Sequence, residues 1–334
     1  MLKTIEFRNF KALRNCELPL GRCTIIVGPN GSGKSTVLQA VEACARAFPP
    51  DLAHFRTIAN GEITRDVWMS LHWSEPPGDI VTRVHFENQL VACFHNDKPS
   101  QNVSHWHNLV RGFTAKMRVF ALNANRARES VTLTPAIELS RDGYGLAGVL
   151  DRLRDQHPER FEALNGELTA WLPEFDRVTF EVPVNGQRAI SLRRSADQSI
   201  LPASMLSDGT MLSLCFLALA HLPQPPTLIG IEEPEHGLHP WLMRRVQDAL
   251  YRLCYPEQHG EKRDPVQIIA TTHSPYFLDL FKDHPEEVVV ASKDDQGVQF
   301  KRVADFKEIT AILQDAPLGE LWNSGAIGGV PVHL

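Results

Sequence analysis

The chain has 334 residues, of which 43% are hydrophobic and 22% charged, so it can bury one large core or two ordinary ones and is not disordered. Its formal net charge of −6 excludes a surface that is basic overall, so any contact with nucleic acid needs a local patch. The six cysteines are scattered without a Cys-x-x-Cys pair, which fits a reducing cytosol and predicts no zinc site.

Neither a signal peptide nor a membrane span is predicted. The segment Met1–Glu6 lacks the apolar core that directs secretion, and the longest apolar run, Leu214–Leu222, is too short to cross a bilayer. We therefore expect a cytoplasmic protein that makes no membrane contact.

The first predicted elements surround a glycine-rich loop. Apolar and polar residues alternate over Leu2–Phe10, which predicts a strand, and Asn15–Leu20 is expected to pair with it. The apolar run Thr24–Val27 predicts a short buried strand, and the spacing of apolar residues over Thr36–Phe48 predicts a helix. The loop between them fits the pattern G-x-x-x-x-G-K-[ST] at every position and consists of Gly28, Pro29, Asn30, Gly31, Ser32, Gly33, Lys34, Ser35 and Thr36.

A strand, a glycine loop and a helix are the context that a phosphate-binding loop requires. The glycines allow backbone N–H groups to surround a phosphate, and the N-terminus of the helix favours an anion. Lys34 is expected to reach the β- and γ-phosphates, and the hydroxyl of Ser35 to ligate Mg²⁺. The alternative, a glycine-rich turn with a chance lysine, does not account for the strand and helix on either side.

The middle of the chain is predicted to be strand-rich and then helical. Turn-forming residues separate the expected strands Asp66–Trp73, Ile80–Phe86, Gln89–Phe94 and Lys116–Leu122. Polar composition predicts a mobile loop at Asn96–Asn108 and a basic loop at Asn123–Arg128. Apolar spacing predicts helices at Gly145–Gln156 and Pro158–Trp171, followed by a hairpin of Arg177–Val182 and Ala189–Arg193 about Asn185-Gly186.

A second group of motifs begins before the apolar helix predicted at Met211–Leu222. The segment Leu206–Thr210 places Ser207 and Gly209 at the N-terminus of that helix, where they are able to hold an anion. Taken alone, the same residues equally describe a helix cap.

The apolar run Thr227–Ile231 predicts a strand that ends in consecutive carboxylates. At the carboxyl end of a parallel strand these acids would lie beside the nucleotide. Glu232 is then expected to hold Mg²⁺ through water, and Glu233 to deprotonate the attacking water. An acidic loop after a core strand is the alternative.

A further apolar strand is predicted from Val266 to His273, directly after the acidic strand and the helix Trp241–Cys254. A histidine at such a strand end suits a sensor of the γ-phosphate, although a lone histidine there is usually structural. The helix Pro275–Phe281 follows, and Val288–Ser292 with Val298–Val303 predicts a final hairpin.

The order of these motifs resembles that of the ABC-type ATPase heads, and in particular the stand-alone ATPases of the RecF/SMC/OLD group. Further stretches carry the same resemblance, namely Phe7–Leu13, Asp142–Ala147, Glu233–Pro240 and Thr271–Pro275. It covers most of the chain except about 50–115.

The resemblance implies a mechanism with ATP and Mg²⁺. Two heads, in a homodimer or higher oligomer, would sandwich two ATP molecules, and Ser207 and Gly209 of one subunit would complete the site of the other. His273 would sense the γ-phosphate, while Arg8 and Asn9 match the start of the family's nucleotide pocket.

Several features depart from the families compared. Asp208 stands where transporters commonly have glycine, and Glu232 stands where many phosphate-loop proteins have aspartate. No Q-loop is certain, with Asn123 and Asn125 as candidates. We find no long coiled coil or zinc hook, and after His273 no convincing acidic cluster for the Toprim nuclease domain of OLD enzymes.

We therefore expect an α/β fold, a P-loop NTPase of the ABC head type with a strand-rich insertion and a short helical lateral segment. A single domain would span 1–334, with 1–49 and 200–334 as nucleotide-binding core, 50–144 as strand-rich lobe and 145–199 as lateral segment.

The resemblance implies an ATP-driven switch that acts on DNA or on a separate effector nuclease, in phage defence or DNA repair. A patch able to contact DNA phosphates is offered by Arg111, Lys116, Arg118, Arg126 and Arg128, although a solvated basic face explains them equally well. The alternatives are a nucleotide-binding subunit of a membrane transporter and a module that holds ATP with scarcely any hydrolysis.

Overall fold

The computed structural model describes residues 1–48, 50–52, 55–56, 58–59, 62–63, 67–75, 78–85, 90–95, 98–99, 103–181, 186–294, 297–307, 309, 312–313 and 316–328. Its strands are β1 (Leu2–Phe10), β2 (Leu13–Pro19), β3 (Cys23–Val27), β4 (Ile58–Ala59), β5 (Glu62–Ile63), β6 (Trp68–Glu75), β7 (Gly78–His85), β8 (Leu90–His95), β9 (Lys98–Pro99), β10 (Met117–Phe120), β11 (Val131–Thr132), β12 (Phe175–Phe180), β13 (Gln187–Arg188), β14 (Ile190–Arg194), β15 (Ile200–Pro202), β16 (Leu228–Glu232), β17 (Gln267–Thr272), β18 (Val288–Asp294) and β19 (Gly297–Arg302).

The helices are α1 (Lys34–Arg46), α2 (Val103–Thr114), α3 (Ala124–Ala127), α4 (Leu146–Gln156), α5 (Pro158–Trp171), α6 (Asp208–Ala220), α7 (Pro240–Cys254), α8 (Pro275–Asp279) and α9 (Leu318–Asn323). Short 3-10 helices occupy Ala203–Met205, Pro256–His259, Pro285–Glu287 and Val303–Asp305.

The chain forms two compact units. The first consists of Met1–Val119, Pro226–Glu233 and Asp264–Leu334, and the second of Phe120–Pro225 and Pro234–Arg263. The division predicted from the sequence, with boundaries after residues 49, 144 and 199, remains a prediction.

A parallel sheet runs through the first unit in the order β10-β16-β17-β3-β18-β19. Strands β16, β17, β3 and β18 are parallel, and β19 closes the edge antiparallel to β18. All residues of β3 and β17 are buried, as expected for parallel strands that are covered on both faces. The sheet confirms the expected α/β fold.

An antiparallel sheet completes the first unit, in the order β2-β1-β6-β7-β8-β9. Strand β1 pairs with β2 on one side and with β6 on the other, so the N-terminal hairpin and the predicted meander belong to one sheet. Phe7 and Phe10 of β1 share a buried apolar cluster with Val37 and Leu38 of α1, which anchors the helix that follows the glycine loop.

Two segments predicted to be loops contain helices instead. The prediction of a loop at Asn96–Asn108 is wrong from Val103 onward, because α2 buries Val110 and Thr114 and packs Phe113 edge-on against Trp73. Residues 96–97 and 100–102 lie outside the described residues. Similarly, Asn123–Arg128 contains the short helix α3, since the side-chain oxygen of Asn123 accepts hydrogen bonds from two backbone N–H groups of its first turn.

The second unit is built around α6, which is apolar on all sides and buried from Thr210 to Ala220. Its C-terminal end is fixed by His221, whose buried imidazole lies 2.8 Å from Glu167 of α5, and Arg252 of α7 donates to the same carboxylate at 3.0 Å.

The same unit contains the predicted hairpin, in which β12 and β14 pair antiparallel. Gly186 of its turn has a positive φ of 76°, while residues 182–185 lie outside the described residues.

Candidate nucleotide-binding site

The glycine loop connects the C-terminal end of β3 to the first turn of α1. Gly33 precedes the helix in the left-handed conformation at φ 85°, and it carries no side chain to cap the helix N-terminus. An added Cβ at Gly33 would lie 2.7 Å from Leu13 Cδ2, and one at Gly28 would lie 2.5 Å from the carbonyl oxygen of Ala291. Only glycine therefore fits at these two positions, as expected of a loop that presents its backbone to an anion.

Lys34 is held at the mouth of this loop. Its side chain is largely buried, and its ammonium group donates to the carbonyl oxygens of Gly28 at 2.6 Å and Pro29 at 3.0 Å. These contacts keep the charge where phosphate oxygens would accept from it.

Ser35 and Glu232 meet across the parallel sheet. The Ser35 hydroxyl donates to Glu232 Oε1 at 2.6 Å, although the residues are 197 positions apart. Both are hard oxygen donors, and Ser35 is exposed to solvent, which suits Mg²⁺ because this ion prefers oxygen ligands and retains water molecules. The pair thus fits the predicted metal site.

Glu233 follows the last residue of β16 in a strained conformation. Its φ is +46°, a left-handed value that costs a residue other than glycine about 1–2 kcal/mol. The backbone N–H of Glu233 donates to the carbonyl oxygen of Thr271 on the adjacent strand at 3.0 Å, which helps to hold this conformation.

His273 lies beside this glutamate, one residue beyond the end of β17. Its Nδ1 is 2.8 Å from Glu233 Oε1, and both side chains are partly exposed. Because a carboxylate only accepts, Nδ1 is assigned as the donor, which turns Nε2 away from the glutamate. The register explains the meeting, since Glu232 lies opposite Thr271 in the parallel pair.

Arg8 and Asn9 lie at the far end of β1. Arg8 lines a cleft of about 540 Å³ whose other walls are Glu6, Phe7, Asn15, Cys16, Glu17, Trp68, Ser70 and Gln299. Among the described residues that line this cleft, none belongs to the glycine loop. Asn9 has a positive φ of 53° near the end of β1, and the next strand begins at Leu13, which packs beside Gly33. A role of Arg8 and Asn9 in nucleotide binding therefore remains a prediction.

The second unit carries the motif Leu206–Thr210 at the start of α6. Ser207 is the N-cap of this helix, and its hydroxyl accepts from the backbone N–H of Thr210 at 3.1 Å. An added Cβ at Gly209 would lie 3.4 Å from the carbonyl oxygen of Gly237, so the loop before α7 approaches this turn. Ser207 is thus a helix cap in this structure, and its contact with an anion remains a prediction.

Arg128 contacts this motif, which the sequence did not indicate. Its guanidinium donates to the Leu206 carbonyl oxygen at 2.9 Å, to Asp208 Oδ1 at 2.5 Å and to the side chain of Asn125 at 2.8 Å. The sequence contains an arginine close to the candidate Q-loop residues. Its partners Leu206 and Asp208 are about eighty positions away, so spacing along the chain could not predict the contact.

The contacts of Arg128 and Arg126 also weaken the predicted DNA patch. Arg126 pairs with Asp142 at 2.8 Å and with Glu129 at 2.6 Å, so carboxylates compensate both arginine charges. Hydrogen bonds from Ser140, Arg126 and the Tyr144 N–H outweigh the opposing effect of burial and lower the Asp142 pKa to about 2. The other members of the patch, Arg111, Lys116 and Arg118, belong to the first unit.

The parallel sheet, the glycine loop and the acidic strand define a P-loop nucleoside triphosphatase with the head architecture of ABC-type ATPases. Residues 97–279, more than half of the chain, match the family described as "AAA domain, putative AbiEii toxin, Type IV TA system". The chain belongs to this family. Residues 1–104 match a second family, described as AAA ATPase domain.

The match to an OLD nuclease supports the resemblance to the RecF/SMC/OLD group. The chain is 27% identical over 346 residues to the OLD nuclease of Thermus scotoductus, in an alignment that covers 89% of this chain and 63% of that protein. It therefore spans less than two thirds of the length of this relative. A stretch of 40 residues, 11% of this chain, is 50% identical to 15% of the phosphate import ATP-binding protein PstB of Synechococcus.

Solved structures show the same fold. The SmcHead bound to the C-winged helix domain of ScpA aligns with a TM-score of 0.61 and 15% identity, over 90% of this chain and 96% of that chain. The Smc head domain from Pyrococcus furiosus, with an extended coiled coil and bound to the C-terminal domain of ScpA, aligns with a TM-score of 0.60 and 13% identity, over 94% of this chain and 98% of that chain.

Two features are absent from the described residues. No helix there is long and apolar enough to cross a membrane. Nor do three or more histidine, cysteine or acidic side chains come together there as a candidate metal cluster.

Proposed function

We propose that this protein is a Mg²⁺-dependent ATPase that works as a conformational switch, in which two copies close head to head around two ATP molecules. Two contacts carry the proposal. Ser35 of the glycine loop donates to Glu232 at 2.6 Å, and the next residue, Glu233, lies 2.8 Å from His273. Oxygen ligands for Mg²⁺ and a carboxylate able to accept a proton from water are groups that promote ATP hydrolysis, and the imidazole of His273 contacts that carboxylate.

Each side chain has a step in this reaction. Lys34 would leave the loop carbonyls and donate to the β- and γ-phosphates. Ser35 and Glu232 would hold Mg²⁺, which would supply positive charge beside the phosphates. Glu233 orients the attacking water and accepts its proton. His273 fixes the Glu233 carboxylate through Nδ1. We expect it to sense the γ-phosphate as well.

The second subunit would contribute the turn Leu206–Thr210, which we call the signature turn. Ser207 and Gly209 lie at the N-terminus of α6, where backbone N–H groups and the helix dipole favour a phosphate. Closure of two heads then depends on ATP, because the nucleotide binds both halves only in the closed state.

The switch would act on a separate protein chain or on DNA. The relative in Thermus scotoductus is named a nuclease, and both SMC heads are described as bound to ScpA. By analogy, we expect a partner to dock on the lateral surface formed by 50–200, in phage defence or DNA repair. The transporter alternative is supported only by the short PstB match.

The composite site is tested by mixing two inactive chains. Lys34→Ala disables the phosphate loop and Ser207→Arg disables the signature, yet a heterodimer retains one site with both halves intact. Mixing is expected to restore ATPase activity, up to about half the wild-type rate per mixed dimer if its sites act independently. If mixed dimers form and remain as inactive as each parent, the head-to-head model is wrong.

A further inference from the structure

An arginine far away in the sequence holds the signature turn of the second unit. Arg128 ends α3, and its Nη2 donates both to the Leu206 carbonyl oxygen at 2.9 Å and to Asp208 Oδ1 at 2.5 Å, across about eighty positions of sequence. Nη1 donates to Asn125 Oδ1 at 2.8 Å, so the guanidinium is fixed from both sides. The Arg128 side chain is 17% exposed, whereas that of Asp208 is 67% exposed.

Asp208, the acid that Arg128 binds, lies where its negative charge would oppose the binding of a phosphate. Asp208 stands between Ser207 and Gly209 at the N-terminus of α6, where backbone N–H groups and the helix dipole attract anions. An uncompensated carboxylate in that turn would compete for the same N–H groups and would repel an approaching phosphate. The ion pair with Arg128 neutralises the carboxylate and fixes its direction.

We propose that Arg128 is a positioning residue of the composite ATP site, which holds the Asp208 carboxylate aside so that the signature turn accepts the nucleotide bound by the facing subunit. This inference rests on the proposed head-to-head dimer. In this proposal Arg128 acts through the Asp208 carboxylate, and it needs no contact with the nucleotide.

The first test replaces Arg128 and measures ATP binding and turnover separately. Arg128→Ala is expected to lower kcat about 10- to 100-fold while ATP affinity of the isolated subunit is retained, because Lys34 and the glycine loop are intact. The matched control is Arg177→Ala, which breaks a comparable ion pair with Glu162 in the same unit and is expected to leave kcat unchanged. An unchanged kcat in Arg128→Ala overturns the proposal.

The second test asks whether the carboxylate is what Arg128 controls. Adding Asp208→Asn to Arg128→Ala removes the charge that needs compensation, so kcat is expected to rise to within about threefold of wild type. A scaffold role would instead leave the double variant as slow as the single one, and that result overturns the proposal. Should Arg128→Ala not fold, a chain with the polar, uncharged replacement Arg128→Gln and with Asp208→Asn is compared with Asp208→Asn alone, and equal rates are expected.

The third test assigns the defect to one half of the site. In a dimer of Arg128→Ala with Lys34→Ala, the intact glycine loop of the first chain faces the intact signature of the second, so mixing is expected to restore turnover. Lys34→Ala is therefore mixed with Ser207→Arg in one experiment and with Arg128→Ala in another. If the mixture with Ser207→Arg recovers activity and the mixture with Arg128→Ala does not, Arg128 acts on the glycine loop of its own chain and the inference is wrong. If mixing fails with both, the head-to-head dimer itself is wrong.

Discussion

His273 Nδ1 lies 2.8 Å from Oε1 of Glu233, at the ends of two neighbouring parallel strands. Glu233 reaches this position with a φ of +46°, so the predicted base is held in a conformation that the polypeptide does not adopt by preference. Strain of this kind persists where the surrounding structure over-determines it, and here the Thr271 carbonyl oxygen accepts from the Glu233 N–H.

The first prediction concerns the base. Glu233→Gln retains the shape and removes the proton acceptor, so ATP should still bind while single-turnover hydrolysis falls by about 10²–10⁴. Lys34→Ala, in contrast, should lose ATP affinity as well as turnover, because a charge-assisted phosphate contact disappears. Glu159→Gln, an exposed change in α5, is the control. Near-normal hydrolysis by Glu233→Gln would assign the base to another residue.

The second prediction concerns the coupling of His273 to this base. If His273 acts by orienting Glu233, then His273→Ala should slow hydrolysis about 10- to 100-fold in the wild-type background but cause little further loss in Glu233→Gln. Single-turnover rates for the four chains give the interaction term directly. Losses that simply multiply would show that His273 acts independently of Glu233.

The third prediction concerns the backbone of the glycine loop. Gly33→Ala must adopt a left-handed conformation and displace Leu13, so we expect a loss of about 1–3 kcal/mol of stability together with loss of ATP binding. Gly166→Ala is the matched control, since Gly166 lies in the interior of α5 with open space around its missing Cβ. It should stabilise the protein by about 0.5–1 kcal/mol in urea unfolding. Full ATP binding by Gly33→Ala would contradict the phosphate-loop assignment.

The fourth prediction concerns pH. Asp142 has a pKa lowered to about 2 in the folded state from its ordinary 3.8, so its ionised form stabilises the fold above about pH 4, and this contribution is lost as the pH falls towards 2. Because the side chain is partly exposed, we discount the effect to about 1 kcal/mol.

Wild type and Asp142→Asn, compared by urea unfolding, should differ by about this amount at pH 7, and the difference should shrink on acidification below pH 4. Asp155→Asn, which removes an exposed partner of Arg154, should change stability by less than about 0.5 kcal/mol. A difference between wild type and Asp142→Asn that does not vary with pH would assign the role of Asp142 to its shape.

The fifth prediction is that the chain does not cut DNA by itself. The chemistry placed here is hydrolysis of a phosphoanhydride, and a metal nuclease needs its own set of carboxylates in an open pocket. Plasmid incubated with the protein, ATP and Mg²⁺ or Mn²⁺ should remain supercoiled. Nicking that persists in Glu233→Gln and follows the protein through purification would reveal a second active site in this chain.

The sequence by itself determined the parts of the site that are contiguous. The glycine loop is recognisable because eight consecutive positions, Gly28–Ser35, match one phosphate-loop pattern. The apolar runs before Gly28, Glu233 and His273 predict buried parallel strands. The order of the motifs was enough to indicate the ABC-type head, which the family match and the SMC-like fold confirm.

Only the tertiary structure decided which of these parts meet. The hydrogen bond between Ser35 and Glu232 joins residues 197 positions apart, and it depends on strand order and register, which spacing along one chain does not specify. For the same reason the sequence could not show that Arg128, predicted as a DNA contact, is bound to Asp208. The prediction of a loop from polar composition was also wrong at α2. The helix begins in a polar stretch, and the residues that pack against the sheet, such as Phe113, come later in it. A short stretch of sequence therefore determines a motif such as the glycine loop, whereas the packing of the whole chain determines which residue each charged side chain contacts.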